Sequence, residues 1–130
     1  MTTVLVHGVF DLLHKGHIFH LMQAKALGTK LIVSVVPDEW CTKRPPVHPE
    51  EDRITMLAAL KCVDVALLCG GPGPEKLLRL LMPDLYIRGN EYAAQDKPEY
   101  ALCQQLGINF GFIHSIPPHT SDIIAKIKAL

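Results

Sequence analysis

Short, nearly continuous apolar runs, separated by longer stretches of helical periodicity, constrain this chain more than any other feature. Thr3–His7 (TVLVH), Lys30–Val36 (KLIVSVV), Val63–Leu68, Asp84–Ile87 and Ile108–Ile113 have strand length, and several are rich in β-branched residues. Between them, His17–Leu27 sets Ile18, Leu21, Met22 and Ala26 at helical spacing, with Gly28 as the expected C-cap. Glu50–Leu60 opens on acidic residues that suit the positive end of a helix dipole. A turn, Gly70-Gly71-Pro72-Gly73-Pro74, leads into a helix over Glu75–Leu81, and Pro98–Leu106 is a helix ended by Gly107. Thr120 begins a last helix with Ile123, Ile124 and Ile127 on its apolar face. Strands apolar on both faces need helices on both faces, which is the arrangement of a covered parallel sheet. With right-handed crossovers, the prediction is an α/β, Rossmann-like three-layer sandwich with a five-stranded parallel sheet. No internal linker or repeat interrupts residues 1–130, so a single domain is expected.

Thirteen basic and 13 acidic side chains cancel to a formal net charge of zero. That leaves no broad basic field for a nucleic-acid backbone or an anionic membrane, so neither is expected as a partner. Val4-Leu5-Val6 follows Met1-Thr2-Thr3 directly, without the basic start and long apolar run of a signal peptide. No apolar run approaches the roughly 20 residues needed to span a bilayer. A cytoplasmic protein is expected. The cysteines Cys41, Cys62, Cys69 and Cys103 show no C-x-x-C pair, and no structural disulfide is expected among them.

In a parallel α/β sheet, ligands bind beyond the carboxyl ends of the strands. The segments richest in functional residue types, 8–17, 37–49, 88–97 and 114–120, all follow predicted strands. The first reads Gly8-Val9-Phe10-Asp11-Leu12-Leu13-His14-Lys15-Gly16-His17 and joins a strand to a helix start, where backbone N–H groups and the helix dipole favour an anion. Gly8 and Gly16 would let backbone approach a ligand closely. His14 and His17 could both reach one phosphate chain, as donors or as cations. They could equally be a cap and a solvated ring. As a metal pair they have the wrong spacing for a helix, which favours i, i+4, and they lack a third ligand. No Walker G-x-x-x-x-G-K-[ST] loop is present.

The block from Gly8 to His17 resembles the G-x-F-D-x-x-H-x-G-H signature of the cytidylyltransferase-like nucleotidyltransferases. Further segments agree in order. Lys43-Arg44-Pro45-Pro46-Val47 and Pro49-Glu50-Glu51-Asp52-Arg53 resemble that family's K-x-P-P-V and P-E-E-R. Pro83 to Tyr92 resembles its P-D-x-x-x-[KR]-G-x-D-Y, and Thr120-Ser121-Asp122-Ile123-Ile124 stands where the family has S-T-T-x-I.

The resemblance implies attack of an acceptor phosphate oxygen on the α-phosphorus of CTP or ATP, with release of pyrophosphate. The acceptor would be a small polyol phosphate or sugar phosphate. His14, His17 and Lys43 would be the catalytic residues, binding the phosphates and stabilising the transition state. Gly8, Val9, Phe10, Asp11, Gly16, Arg88, Gly89, Glu91, Tyr92, Thr120 and Ser121 would form the nucleotide site, with Asp11 orienting the loop. Arg44, Arg53, Lys76 and Trp40 are candidates for acceptor binding. Against these stand plainer readings: a solvated Lys43, an Arg53 paired with Glu50, an exposed Lys76, a partly buried Trp40, and Thr120 and Ser121 as caps. Mg2+ should accompany the triphosphate, held mainly by phosphate oxygens and water. The resemblance also implies a homodimer. Glu91 replaces the family's usual Asp, which bears on base preference. His114-Ser115-Ile116-Pro117-Pro118 lacks the arginine of the R-T-x-G-I found in many glycerol-phosphate members. The heptose-phosphate adenylyltransferase branch lacks it too, so the departure tilts away from glycerol phosphate. Two other classes stay open: a catalytically inactive nucleotide-binding regulatory module, and a metal-binding protein using some of the seven histidines.

Overall fold

Val4, Leu5 and Val6 are wholly buried, because the strand that carries them is covered on both faces and paired on both edges. This strand, β1 (Thr3–Gly8), lies at the centre of a five-stranded sheet, between β2 (Lys30–Val35) and β4 (Leu85–Gly89). With β3 (Val65–Leu68) and β5 (Asn109–Ile113) at the edges, the order is β3-β2-β1-β4-β5, and every pairing is parallel. The structure is a computed structural model that describes residues 1–41, 44–89 and 98–113. The expected last helix lies outside the described residues.

The two faces of β1 build two cores. Val4 and Val6 pack with Leu21 and Ala24 of α1 (Lys15–Ala26) and Leu57 of α2 (Glu50–Ala58). Leu5 packs with Leu78 of α3 (Glu75–Leu81) and with Leu102 and Cys103 of α4 (Pro98–Leu106). Three layers result, as expected. The reason lies in handedness: from β1 the chain steps outward to β2 and β3, then returns to β4 and steps the other way. Right-handed crossovers put helices on opposite faces when that direction reverses. Between the carboxyl ends of β1 and β4 the reversal leaves a crevice, the usual ligand position in such sheets.

Local chemistry shifts some boundaries. Helix α1 begins at Lys15 rather than His17, because His14 serves as its N-cap. Gly28 is not the left-handed cap; Leu27 caps α1 in a right-handed conformation. Gly28 is instead needed for close approach, since a Cβ there would meet Thr2 O at 2.6 Å and Val4 Cγ2 at 2.7 Å. Gly107 does take the left-handed conformation after α4, at φ +75°. A short 3-10 turn, Asp38–Trp40, interrupts the proline-rich connection after β2. All four cysteines are free thiols. Among the described residues, no helix is long and apolar enough to cross a membrane.

Candidate active site

The connection from β1 to α1 is bent hard. Phe10 and Leu12 both occupy the left-handed region, at φ 55° and 52°, where a side chain costs about 1–2 kcal/mol. Such strain persists only where surroundings enforce it. One enforcing contact is the Phe10 ring folded over Gly8, where a Cβ would lie 3.0 Å from Phe10 Cε2. Gly8 therefore makes room for Phe10. A second is Asp11, whose carboxylate accepts the N–H groups of Val47 (2.7 Å) and His48 (3.0 Å). Asp11 orients the loop, as its place in the motif suggested, by tying two loops together.

The two histidines hold each other at the helix start. His14 Nδ1 accepts the N–H of Gly16 at 3.0 Å, and His17 Nδ1 accepts the N–H of His14 at 3.2 Å. This is a reciprocal cap in which imidazoles replace the usual hydroxyl and carboxylate. Their ring centroids are 4.0 Å apart, and His17 meets Phe10 edge-on at 5.9 Å. A nitrogen that accepts a backbone N–H carries no proton, so each ring bears its proton on Nε2. Nε2 of each ring is therefore the nitrogen that can donate to a ligand. Capping and phosphate donation are compatible, because they use different nitrogens.

A cleft of about 860 Å3 opens beside this pair, within the size range of small-ligand sites. Its walls are Val9, Phe10, Asp11 and His17 from the first loop, Val36, Trp40, Cys41, Arg44 and Pro46 after β2, Pro72 after β3, and Arg88 from β4. Trp40, 44% exposed, stands at its rim. The Cys41 thiol is pushed up by burial, so it lines the cleft as a thiol rather than a nucleophile.

Two buried networks support the cleft from behind. Arg53, 1% exposed, donates Nε–H to His48 O (3.0 Å), Nη1–H to Val9 O (2.8 Å) and Val36 O (2.9 Å), and Nη2–H to Asp38 Oδ1 (2.6 Å). Near the crevice floor, His7 Nδ1 shares a hydrogen bond with Ser34 Oγ at 2.9 Å. Burial, assisted by the Arg88 charge, lowers the His7 pKa from 6.5 to about 4. Arg88 Nη1 donates to Glu99 Oε1 of α4.

The profile of the cytidylyltransferase-like family matches residues 5–124. The chain belongs to that family of nucleotidyltransferases. This cytidylyltransferase-like domain is 36% identical to the D-beta-D-heptose 1-phosphate adenylyltransferase of Bordetella bronchiseptica, over 96% of the chain and 81% of the relative. It is 35% identical to the FAD synthase of Methanohalophilus mahii, over 97% and 89% respectively. The Streptomyces coelicolor bifunctional protein HldE is 40% identical over 82% of the chain, but there the match spans only 24% of the relative's length. Among solved structures, a lipopolysaccharide core biosynthesis protein from Thermoplasma volcanium superimposes with a TM-score of 0.77 at 30% identity, covering 90% of this chain and 99% of its own.

Within the cytidylyltransferase-like domain, Val9, Phe10, Asp11, His17, Trp40, Arg44 and Arg88 share one cleft, and His14 adjoins it through His17. Gly16 is in the first turn of α1, and Gly89 ends β4. Arg53 is corrected: its guanidinium faces three backbone carbonyls and Asp38, neither an acceptor nor Glu50. Lys76 stands exposed on α3 and is not among the residues that line the cleft. Lys43, Glu91, Tyr92, Thr120 and Ser121 lie outside the described residues. Among the described residues, no three of His, Cys, Asp and Glu converge to hold a metal ion. Sequence reading missed Pro72, although its turn follows a strand like the other site loops. It also missed His7 and Glu99, whose partners are brought near only by strand pairing and helix packing.

Proposed function

We propose that this chain transfers the adenylyl group of ATP to the phosphate of a small sugar phosphate, releasing pyrophosphate. The reaction type rests on one observation above all: two imidazoles at a helix start, each held by a backbone N–H to its Nδ1, beside the cleft where the sheet reverses direction. An acceptor phosphate is already largely dianionic near neutral pH, since its second pKa is about 6. Its oxygen forms a bond to the α-phosphorus as the bond from that phosphorus to the β-phosphate bridging oxygen breaks. Pyrophosphate takes the electron pair. No general base is needed; the protein must align two anions and stabilise charge on the non-bridging and leaving oxygens. In this reading Nε2–H of His14 and His17 donate to those oxygens, Arg88 and Arg44 add positive charge, and Lys43 contributes from the connection after β2. Val9 and Phe10 line the nucleotide. Mg2+ enters with the triphosphate as part of the substrate; the Asp11 carboxylate, occupied by Val47 and His48, is not required as its ligand.

The choice of ATP and a sugar phosphate is supported by the relatives. One is named as an adenylyltransferase of a heptose 1-phosphate and aligns over nearly the whole chain. Another makes FAD, itself an adenine dinucleotide. A pyrophosphate-release screen tests the proposal by crossing ATP and CTP with sugar 1-phosphates, glycerol phosphate and FMN. ATP with a sugar 1-phosphate should give the highest kcat/KM. Faster turnover with CTP and glycerol phosphate would overturn the substrate assignment. ATP binding without release in any combination would instead leave a regulatory module.

A further inference from the structure

A buried carboxylate next to a cleft meant for a polyanion is electrostatically unfavourable for binding. It cancels nearby positive charge and repels the incoming phosphates. Glu99 nonetheless occupies such a place. Its side chain is 5% exposed, against 26% for Arg88, and Arg88 lines the cleft while donating Nη1–H to Glu99 Oε1. The pair joins the end of β4 to the first turn of α4. His7, on the neighbouring strand, offers no competing charge, since it is neutral and its Nδ1 is engaged with Ser34. A free arginine samples many rotamers, and fixing one on binding costs affinity. Holding it beforehand in the rotamer that faces the cleft removes that cost.

We propose that Glu99 is a positioning residue, whose contact with Arg88 fixes the guanidinium at the cleft before nucleotide arrives. The proposal rests on the reading of the cleft as a nucleotide site. Position, and not charge, is what Glu99 supplies, and this separates it from two other roles. A simple counter-charge would weaken anion binding, so its removal would tighten it. A purely structural anchor for α4 would act whether or not Arg88 is present.

The test is calorimetric titration of MgATP into the full chain and its variants, with thermal unfolding of each as a control for folding. Arg88→Ala should weaken binding about tenfold or more, as expected when a charge-assisted hydrogen bond to the ligand is removed. Glu99→Ala should weaken it by a similar factor, yet add less than about twofold in the Arg88→Ala background, since one interaction cannot be removed twice. Glu99→Gln keeps an oxygen acceptor and drops the charge, so it should bind as well as the parent or tighter. Glu99→Asp keeps the charge and withdraws it by one methylene, so it should bind more weakly. These two variants decide the matter even if Glu99→Ala fails to fold. Tighter binding in every Glu99 variant would overturn the proposal in favour of a counter-charge. An undiminished effect of Glu99→Ala in the Arg88→Ala background would overturn it in favour of a structural anchor. Normal MgATP binding by Arg88→Ala would overturn it while leaving the nucleotide site in place. No binding of ATP or CTP by the parent protein would sink the nucleotide reading itself.

Discussion

Nδ1 of His14 accepts the Gly16 N–H, whereas the chemistry proposed for that ring belongs to Nε2, so helix stability and turnover depend on different atoms of one side chain. Asparagine separates the two. Its side-chain oxygen can replace Nδ1, and it ranks among the best N-caps, but no atom of it reaches the position of Nε2. His14→Asn should keep the unfolding free energy within about 0.5 kcal/mol of the parent. It should lower kcat by about a hundredfold or more, as does removal of one donor to a transition state. Urea unfolding and pyrophosphate release under saturating substrates measure these separately. Full turnover in His14→Asn would reduce the residue to a helix cap. His17 has the same division of labour, with its Nδ1 committed to the His14 N–H. The pair is a helix cap whose proposed chemistry uses its other nitrogens.

Two connections that wall the cleft converge on Arg53: the loop after β1 through Val9, and the long one between β2 and α2 through Val36 and Asp38 at its start and His48 at its end. Lysine at this position has one compact ammonium in place of a planar fork and cannot serve all four acceptors. Each buried carbonyl left without a donor costs about 1–3 kcal/mol. Arg53→Lys should therefore lower the unfolding free energy by about 2–4 kcal/mol and raise KM for both substrates. A denaturant midpoint shift equivalent to under about 0.5 kcal/mol would show that the loops hold together without it. This residue also marks where sequence reading stops. The strands and helices were legible because periodicity reports which faces are buried: α3 and α4 fall on Glu75–Leu81 and Pro98–Leu106 as the apolar spacing requires. The start of α1 was misplaced because a histidine N-cap does not follow ordinary capping preferences. The 3-10 turn at Asp38–Trp40 was missed because three residues carry no period. Much of the cleft was legible from the first motif, Trp40, Arg44 and Arg88, all in segments that follow strands. The direction of a long cationic side chain was not. Arg53 turns inward and Arg88 lines the cleft, and only distant partners, Asp38 and Glu99, distinguish them.

Because β1 is both the central strand and the source of a loop that walls the cleft, whatever it buries affects the stability of the whole fold. His7 pairs in register with Ser34 of β2 and lies one residue beyond the Val6–Ile87 pairing, beside Arg88. Burial first, then that guanidinium, brings its pKa down to about 4, and His20 on α1 is lowered by burial as well. Both groups bind protons more readily in the unfolded chain, which has pKa values near 6.5. Stability from them is therefore fully present above pH 6.5 and is lost as pH falls toward 4. The exposed Asp64, held low by Lys25, acts only below its ordinary value of 3.8 and so falls outside this window. For His7 alone the loss across the window is on the order of 3 kcal/mol. His7→Asn retains a partner for Ser34 and has no proton to gain. Urea unfolding at intervals from pH 7 to pH 4 should show a steep decline for the parent protein and a flatter one for the variant. Equal slopes in the two proteins would mean that His7 is as free to protonate in the fold as in the open chain.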